Sequence, residues 1–330
     1  MKNHTTKFWQ KNKTRIATIG MAIVMGASAF VTGCKKKGFG EDAQGKVKVV
    51  ATIYPMYDFV KRVGGEHVAV NMMVPAGTEP HAWEPSTKDM LMLEEAELFV
   101  YNGAGMETWA EDILKSVQNK DLTVLEASSG VELIRLEEHD DEDEHENEHE
   151  HEGHHHGEFD PHVWLSPKNA QTEMKNIAAA LKKIDPDHAA DYDANFAAAR
   201  KECETLDQEY ATALKEAAGR HIVVAHEAYG YLCREYGLEQ IGIEGVSADS
   251  EPDAARMREI IDLVKEYDVK CIFFEELVNP KVAETIASET GCTTQALSPL
   301  DGLSQDDINA GRDYFSVMRD NLKAIKGALA

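Results

Sequence analysis

The sequence has few positive charges for its length, and this scarcity excludes one class of partner. Its 34 lysines and arginines face 59 aspartates and glutamates, which gives a formal net charge of −25. A surface that binds nucleic acid needs a basic patch for the phosphates, and no predicted folded stretch supplies one. We therefore expect no nucleic-acid partner. The acidity favours solubility and cationic ligands, but it names none of them.

The chain also lacks a long apolar run that could serve as a membrane helix. Five positive residues precede the apolar residues 16–31, and Val31-Thr32-Gly33-Cys34 follows, as in a signal peptide at 1–33. The apolar run is short for a bilayer and is broken by glycines and hydroxyl residues. Its ending resembles a bacterial lipobox rather than an ordinary cleavage site. We predict that Cys34 is lipidated and that residues 34–45 form a tether at the extracytoplasmic face of the cell membrane.

Cysteine is scarce as well, with five residues in 330 and no CxxC pair. A zinc site built from cysteines is therefore not expected. Once Cys34 is assigned to lipid, an exported location would permit disulfides among the remaining four, but the sequence assigns no pairing. Buried free thiols are the simpler interpretation for these residues, which are Cys203, Cys233, Cys271 and Cys292.

Strands and helices alternate along both halves of the chain, which indicates βαβ units and parallel sheets. Between the halves, apolar residues recur at steps of three and four from Tyr192 to Ala217 and predict one long helix. The last predicted element is a single helix over 306–326. We expect an α/β fold of two parallel-sheet lobes, 46–170 and 219–330, joined by a helical segment at 171–218.

Residues 139–156 interrupt this alternation with seven histidines, nine acidic residues and no apolar side chain. Such a stretch cannot bury a core, so we expect a disordered loop at 137–158. A solvated acidic spacer would explain the acids but not the histidines. Uncharged imidazoles beside carboxylates suit weak capture of several divalent metal ions. The predicted accessory ligands are His139, His145, His149, His151, His154, His155 and His156.

Three other histidines have settings that restrict the imidazole. His162 lies between prolines on what we expect to be a short apolar strand, His81 follows a predicted strand, and His226 ends another. Taken singly, each is more often structural than a ligand, since metal binding needs several converging donors. Ligands of parallel sheets bind beyond the carboxyl ends of the strands. The three together therefore predict a metal site in the cleft between the lobes.

Two functions of other classes compete with metal binding for transport. A zinc-dependent hydrolase would need an open coordination position and a general base. His226-Glu227 begins like the HExxH motif, but Gly230 stands where the second histidine must be, so the motif fails. No nucleophile elbow or phosphate-binding loop occurs either. An adhesin or structural lipoprotein would explain the anchor but leaves the histidines without a role.

Several motifs together resemble those of a known family. They are Glu79-Pro80-His81 with Glu84-Pro85-Ser86, Asp160-Pro161-His162-Val163-Trp164-Leu165-Ser166-Pro167, His226-Glu227-Ala228-Tyr229-Gly230, and Leu297-Ser298-Pro299-Leu300-Asp301. The chain, from about residue 47 onward, resembles the zinc-binding solute-binding proteins of bacterial ABC transporters, the ZnuA/AdcA group of the TroA-like class. The resemblance implies a monomeric, non-enzymatic protein that carries Zn²⁺ to a permease driven by an ATPase.

The resemblance also implies a ligand set of His81, His162, His226 and, as the fourth ligand, Asp301. Glu79 competes with Asp301, because some relatives use water or a glutamate near the first histidine. A manganese-binding paralogue of the same class is the alternative within the resemblance. Three imidazoles and one carboxylate suit tetrahedral zinc, whereas manganese prefers more oxygen donors.

Overall fold

The structure, a computed structural model, describes residues 38–40, 43–136, 158–246 and 252–330. The predicted signal peptide, Cys34 and the seven accessory histidines lie outside the described residues, so those expectations stay predictions. Within the described ranges, no helix has both the length and the apolar character to cross a bilayer.

The first half of the chain forms a parallel four-stranded sheet in the order β2-β1-β3-β4. Its central strands are almost fully buried, as expected for a parallel sheet with helices on both faces. The strands are β1 (Val47–Ala51), β2 (Val68–Met72), β3 (Leu98–Tyr101) and β4 (Thr123–Glu126), and the connecting helices are α1 (Tyr54–Gly64), α2 (Thr87–Glu95) and α3 (Ala110–Ser116).

Two helices follow the first sheet. They are α4 (Pro167–Ile184) and α5 (Ala189–Ala213). The 25 residues of α5 span about 37 Å. The predicted apolar face is confirmed, because Tyr192, Cys203 and Tyr210 are buried along it. The helix is shorter than the pattern suggested, since Pro186–His188 and Lys215–Ala217 are separate 3-10 turns.

The second half repeats the first, with a parallel sheet in the order β6-β5-β7-β8. This repeat confirms the predicted α/β architecture of two parallel sheets. The strands are β5 (His221–Val224), β6 (Glu239–Gly242), β7 (Cys271–Phe274) and β8 (Thr293–Ala296), with helices α6 (Gly230–Tyr236), α7 (Ala254–Glu266) and α8 (Lys281–Thr290).

The prediction of a single helix over 306–326 is wrong, because the structure has two helices there. They are α9 (Gln305–Asn309) and α10 (Tyr314–Ala328). Gly311 between them has φ +79°, a left-handed conformation that stops a helix. Asp313 then starts α10 by accepting a hydrogen bond from the Ser316 amide.

One continuous core joins the two halves. Its buried residues run from Val47 in β1 to Ile325 in α10, and smaller clusters fill the outer face of each sheet. The start of α10 reaches the first half, where the Tyr314 ring meets Phe59 of α1 with centroids 5.0 Å apart. The four cysteines of the described chain are free thiols. The domain boundaries predicted from sequence stay a prediction.

Candidate metal centre

His81 lies in the loop that leaves β2, as predicted, and is partly buried. The Glu79 carboxylate accepts hydrogen bonds from the His81 amide at 3.0 and 3.2 Å, which folds the loop back on itself. The Gly77 amide donates to the Leu303 carbonyl at 2.9 Å. The loop that carries His81 is therefore tied to the second half of the chain.

His162 is fully buried, and its setting differs from the expected strand. It immediately precedes a 3-10 turn, Val163–Leu165. The Leu165 amide closes the turn by donating to the His162 carbonyl at 3.2 Å. Before the turn, Asp160 Oδ1 accepts from both the His162 amide, at 2.9 Å, and His162 Nδ1, at 2.8 Å. This carboxylate fixes the ring and leaves Nε2 as the nitrogen that faces the other histidines.

His226 follows β5, at the carboxyl end of that strand, and is 2% exposed. Its Nδ1 lies 2.7 Å from Glu275 Oε1, and its Nε2 lies 2.7 Å from the Val246 carbonyl oxygen. Glu275 comes directly after β7, the strand next to β5. The parallel sheet therefore brings the histidine and its carboxylate partner to the same edge.

Asp301 follows β8 after a short turn and is 4% exposed. Its Oδ1 accepts a hydrogen bond from the Gly302 amide at 2.7 Å. The other carboxylate oxygen has no hydrogen bond among the described contacts of Asp301.

The structure brings His81, His162, His226 and Asp301 together. One ligand atom from each lies within 4.8 Å of those of the other three. His81 Nε2 and His162 Nε2 are 3.2 Å apart. Two donors come from each half of the chain, and no other group of three or more potential ligands of this kind is found among the described residues.

The environment sets the protonation of these groups. Burial, then the neighbouring histidines, hold the pKa values of His81 and His162 well below their usual range, so both imidazoles are neutral at pH 7. Burial also lowers the pKa of His226, but the hydrogen bond and charge of Glu275 outweigh it and raise this pKa to about 9. Burial, followed by the charge of Glu275, raises the pKa of the Asp301 carboxyl above its usual range.

Two carboxylates of the site were not identified from the sequence. Asp160 and Glu275 each lie against a ring nitrogen of a predicted ligand. The Asp-x-His spacing could have indicated Asp160, because a carboxylate two residues before a histidine can reach its ring. No local signal indicates Glu275, since it is 49 residues from His226 and is brought there only by the pairing of β5 with β7.

The family described as "ZnuA: Zinc-uptake complex component A periplasmic" matches residues 49–328. The chain belongs to the ZnuA family. The match covers both sheets, apart from the first two residues of β1, and all four residues of the candidate centre.

The chain is also similar to individual relatives with names from the ZnuA and AdcA group. The chain is 40% identical over 313 residues to the "High-affinity zinc uptake system protein ZnuA" of Bacillus subtilis, covering 94% of this chain and 97% of that one. It is 43% identical over 289 residues to "Zinc-binding protein AdcA" of Streptococcus pyogenes serotype M6, covering 86% of this chain but only 56% of that one. The present chain thus spans little more than half the length of that relative.

A solved structure of the same family is also similar. It is the "Zn(II)-bound ZnuA-like domain of Streptococcus pneumoniae AdcA", with a TM-score of 0.73 and 37% identity. The similarity covers 86% of this chain and 99% of that domain. The ZnuA-like fold, with its two parallel sheets, is therefore common to both.

The failed HExxH motif has a structural reason in this member of the ZnuA family. Gly230 begins α6 directly against Asp160, and a Cβ at this position would collide with the Asp160 carboxylate. A histidine at 230 would therefore force a shift of the carboxylate whose other oxygen orients His162. The ZnuA family consists of solute-binding transport proteins, a class distinct from enzymes.

Proposed function

We propose that this protein binds one zinc ion in the cleft between its two sheets and supplies it to a membrane transporter for import. The observation that carries the proposal is the convergence of three imidazoles and one carboxylate within 4.8 Å. Four nitrogen and oxygen donors of this kind are what zinc prefers when protein groups alone hold it in tetrahedral geometry. Membership of the ZnuA family supports the same ion and the same role.

In this proposal His81, His162, His226 and Asp301 are the ligands, and Asp160 and Glu275 orient two of them. The lowered pKa values keep His81 and His162 ready to donate a lone pair at neutral pH. Both ring nitrogens of His226 have oxygen partners, so zinc would take the place of the Val246 carbonyl at Nε2 while Glu275 keeps its position at Nδ1. The carboxylates of Asp160 and Glu275 raise the basicity of the histidine rings that they contact.

The number of donors favours transport over hydrolysis. A catalytic zinc site keeps three protein ligands and an open position for water, whereas closed sites have four. Here four protein donors converge, and three of them are buried. We therefore propose a binding role without catalysis.

Binding of zinc should release at least one proton from the protein at pH 7. His226 carries a proton below its pKa of about 9 and must lose one to bind zinc, and Asp301 adds to the release because its pKa is also raised. The affinity should therefore rise with pH toward 9, by about tenfold per pH unit for each proton released. Calorimetric titration of metal-free protein in buffers of different ionisation enthalpy measures the number of protons released.

The same titration gives the stoichiometry and the selectivity. We expect one tight site for zinc and weaker binding of manganese, because manganese prefers more oxygen donors. Heat of binding that does not depend on the buffer would contradict the assignment of His226 as a protonated ligand. Tighter binding of manganese than of zinc would contradict the choice of metal.

The remaining parts of the proposal concern delivery. We propose that the protein is a monomer anchored through Cys34 at the extracytoplasmic face of the cell membrane, where it supplies a zinc ABC permease and its ATPase. The histidines between 139 and 156 would act as accessory ligands that gather zinc when it is scarce. Ligands that are not preorganised bind more weakly, so these sites should add capacity rather than affinity.

A further inference from the structure

The turn that carries Asp301 is held by side chains from three separate parts of the chain. We call residues 297–301 the Asp301 turn. Tyr229 Oη donates to the Leu297 carbonyl at 2.8 Å. Asn321 of α10 donates to the Ser298 carbonyl at 2.7 Å and accepts from the Ser298 amide at 3.0 Å. The backbones of Leu297 and Ser298, the first two residues of the turn, are therefore each fixed by a side chain from elsewhere.

Trp164 makes the third of these contacts and connects two ligands. Its Nε1 donates to the Pro299 carbonyl at 2.8 Å, and it lies only two residues after His162. Its own carbonyl accepts from Tyr314 Oη at 2.7 Å. The indole thus links the segment of His162, in the first half, to the segment of Asp301, in the second half. No metal ion takes part in this link.

The backbone of the Asp301 turn is strained, which explains why it needs so many hydrogen bonds from its surroundings. Leu300 has φ +62°, a left-handed conformation that is unfavourable for a branched residue, and it is fully buried. Such a conformation persists only when the surroundings over-determine it. If the hydrogen bond from Trp164 or from Asn321 is removed, the turn can relax, and Asp301, the next residue, would move with it.

The carboxylate of Asp301 is restricted in a second way. Its Oδ1 accepts a hydrogen bond from the Gly302 amide, so a metal that binds through both oxygens would have to share or break this bond. Gly302 is closely packed, since a Cβ added there would lie 3.1 Å from both Leu277 Cδ1 and the Thr78 carbonyl. Asp301 is thereby set to supply a single oxygen from a fixed position.

From these hydrogen bonds we propose that Trp164 and Asn321 are positioning residues that set the metal selectivity of the site. The inference rests on the proposed function, since it takes Asp301 as a zinc ligand. A single fixed oxygen completes the four-coordinate sphere of zinc, whereas manganese needs more oxygen donors. A released turn lets the carboxylate rotate and offer both oxygens, which favours the larger coordination number.

The test compares Trp164→Phe and Asn321→Ala with the unmodified protein. Phenylalanine keeps an aromatic ring in the core but removes the donor to Pro299. The zinc affinity of each variant should fall by about tenfold or more, as for loss of a group that orients a ligand. The manganese affinity should stay unchanged or rise. The measured quantity is the ratio of zinc affinity to manganese affinity, from competition titrations of the full chain.

Asn176→Ala is the matched control. Asn176 of α4 also holds backbone carbonyls, those of Ala127 and Ser129, both at 2.9 Å, but away from the Asp301 turn. Loss of the Asn176 side chain should lower thermal stability without changing the ratio of zinc affinity to manganese affinity. A merely structural role for Trp164 and Asn321 would give the same result as this control.

Three outcomes separate the possibilities. A ratio at least tenfold lower in a folded variant, with the control unchanged, supports the proposal. A ratio within twofold of the unmodified value in either folded variant overturns it, even if zinc still binds tightly. Absence of tight zinc binding in the unmodified protein overturns the proposed function itself and the present inference with it. Because the two variants alter different elements, a failure of one to fold leaves the other as the test.

Discussion

Replacing His162 with alanine should lower the affinity for zinc by about a hundredfold to a thousandfold. The free energy of zinc binding at sites with four protein ligands is about 10 to 16 kcal/mol in magnitude, so one ligand contributes about 3 to 4 kcal/mol. His162 is fully buried and held by Asp160, so no other side chain can take its place without moving the 3-10 turn. Competition with a chelator of known affinity measures the loss.

His221→Ala is the matched control for this prediction. His221 lies on β5, outside the proposed ligand set: its ring stacks on Tyr267 with centroids 3.7 Å apart, and its Nε2 lies 3.0 Å from Glu239. Its removal should leave zinc affinity unchanged. A loss of less than tenfold in His162→Ala, or an equal loss in the control, would contradict the proposed ligand set.

Asp301→Ala should lower the zinc affinity by more than the 10-fold to 100-fold typical of a residue that only orients a ligand. Asp301 offers an oxygen within 4.8 Å of the three histidine ligand atoms and comes from the second half of the chain. Glu79→Ala should stay within that range, because the Glu79 carboxylate is engaged by the amide of His81 and Glu79 is not part of the four-residue group.

The two variants are best compared in one titration series at the same pH. Burial raises the pKa of Glu79 to about 7, so its charge changes near neutral pH and the comparison belongs at pH 8. A larger loss in Glu79→Ala than in Asp301→Ala would reverse the assignment of the fourth ligand. Equal losses would mean that both carboxylates contact the metal.

Much of the fold was predictable because it depends on local pattern. The apolar runs of the central strands and the four-and-three spacing of α5 are direct signals of burial. The short Val163–Leu165 segment was not predictable, since three consecutive apolar residues suit a strand equally well, and nothing in their pattern indicates the backbone hydrogen bonds of the turn. The end of α9 was missed because Gly311 is a single glycine within a helical pattern.

The candidate centre was predictable to the extent that its residues follow strands. His81, His226 and Asp301 lie beyond the carboxyl ends of β2, β5 and β8, where ligands of parallel sheets are expected. The groups that orient these ligands were harder to predict from the sequence. Glu275 and Asn321 reach the site through tertiary packing, and neither sequence distance nor periodicity indicates such a contact.

The shared core also bears on how the centre is held. A single cluster of buried residues extends through both halves, and α5 packs against both α1 and α10. Arg62 of α1 lies 3.0 Å from Glu202 of α5 and 2.7 Å from Asp313 at the start of α10. These interactions hold together the two halves of the chain, each of which supplies two of the four donors.

The central claim is that one zinc ion is bound by His81, His162, His226 and Asp301. The most direct test is an anomalous difference map, recorded on both sides of the zinc absorption edge, from crystals of protein loaded with one equivalent of zinc. We predict a single strong peak with three histidine nitrogens at about 2.0 to 2.1 Å and one Asp301 oxygen at about 2.0 to 2.2 Å. A peak outside this cluster, or one bound by Glu79 with Asp301 turned away, would contradict the account.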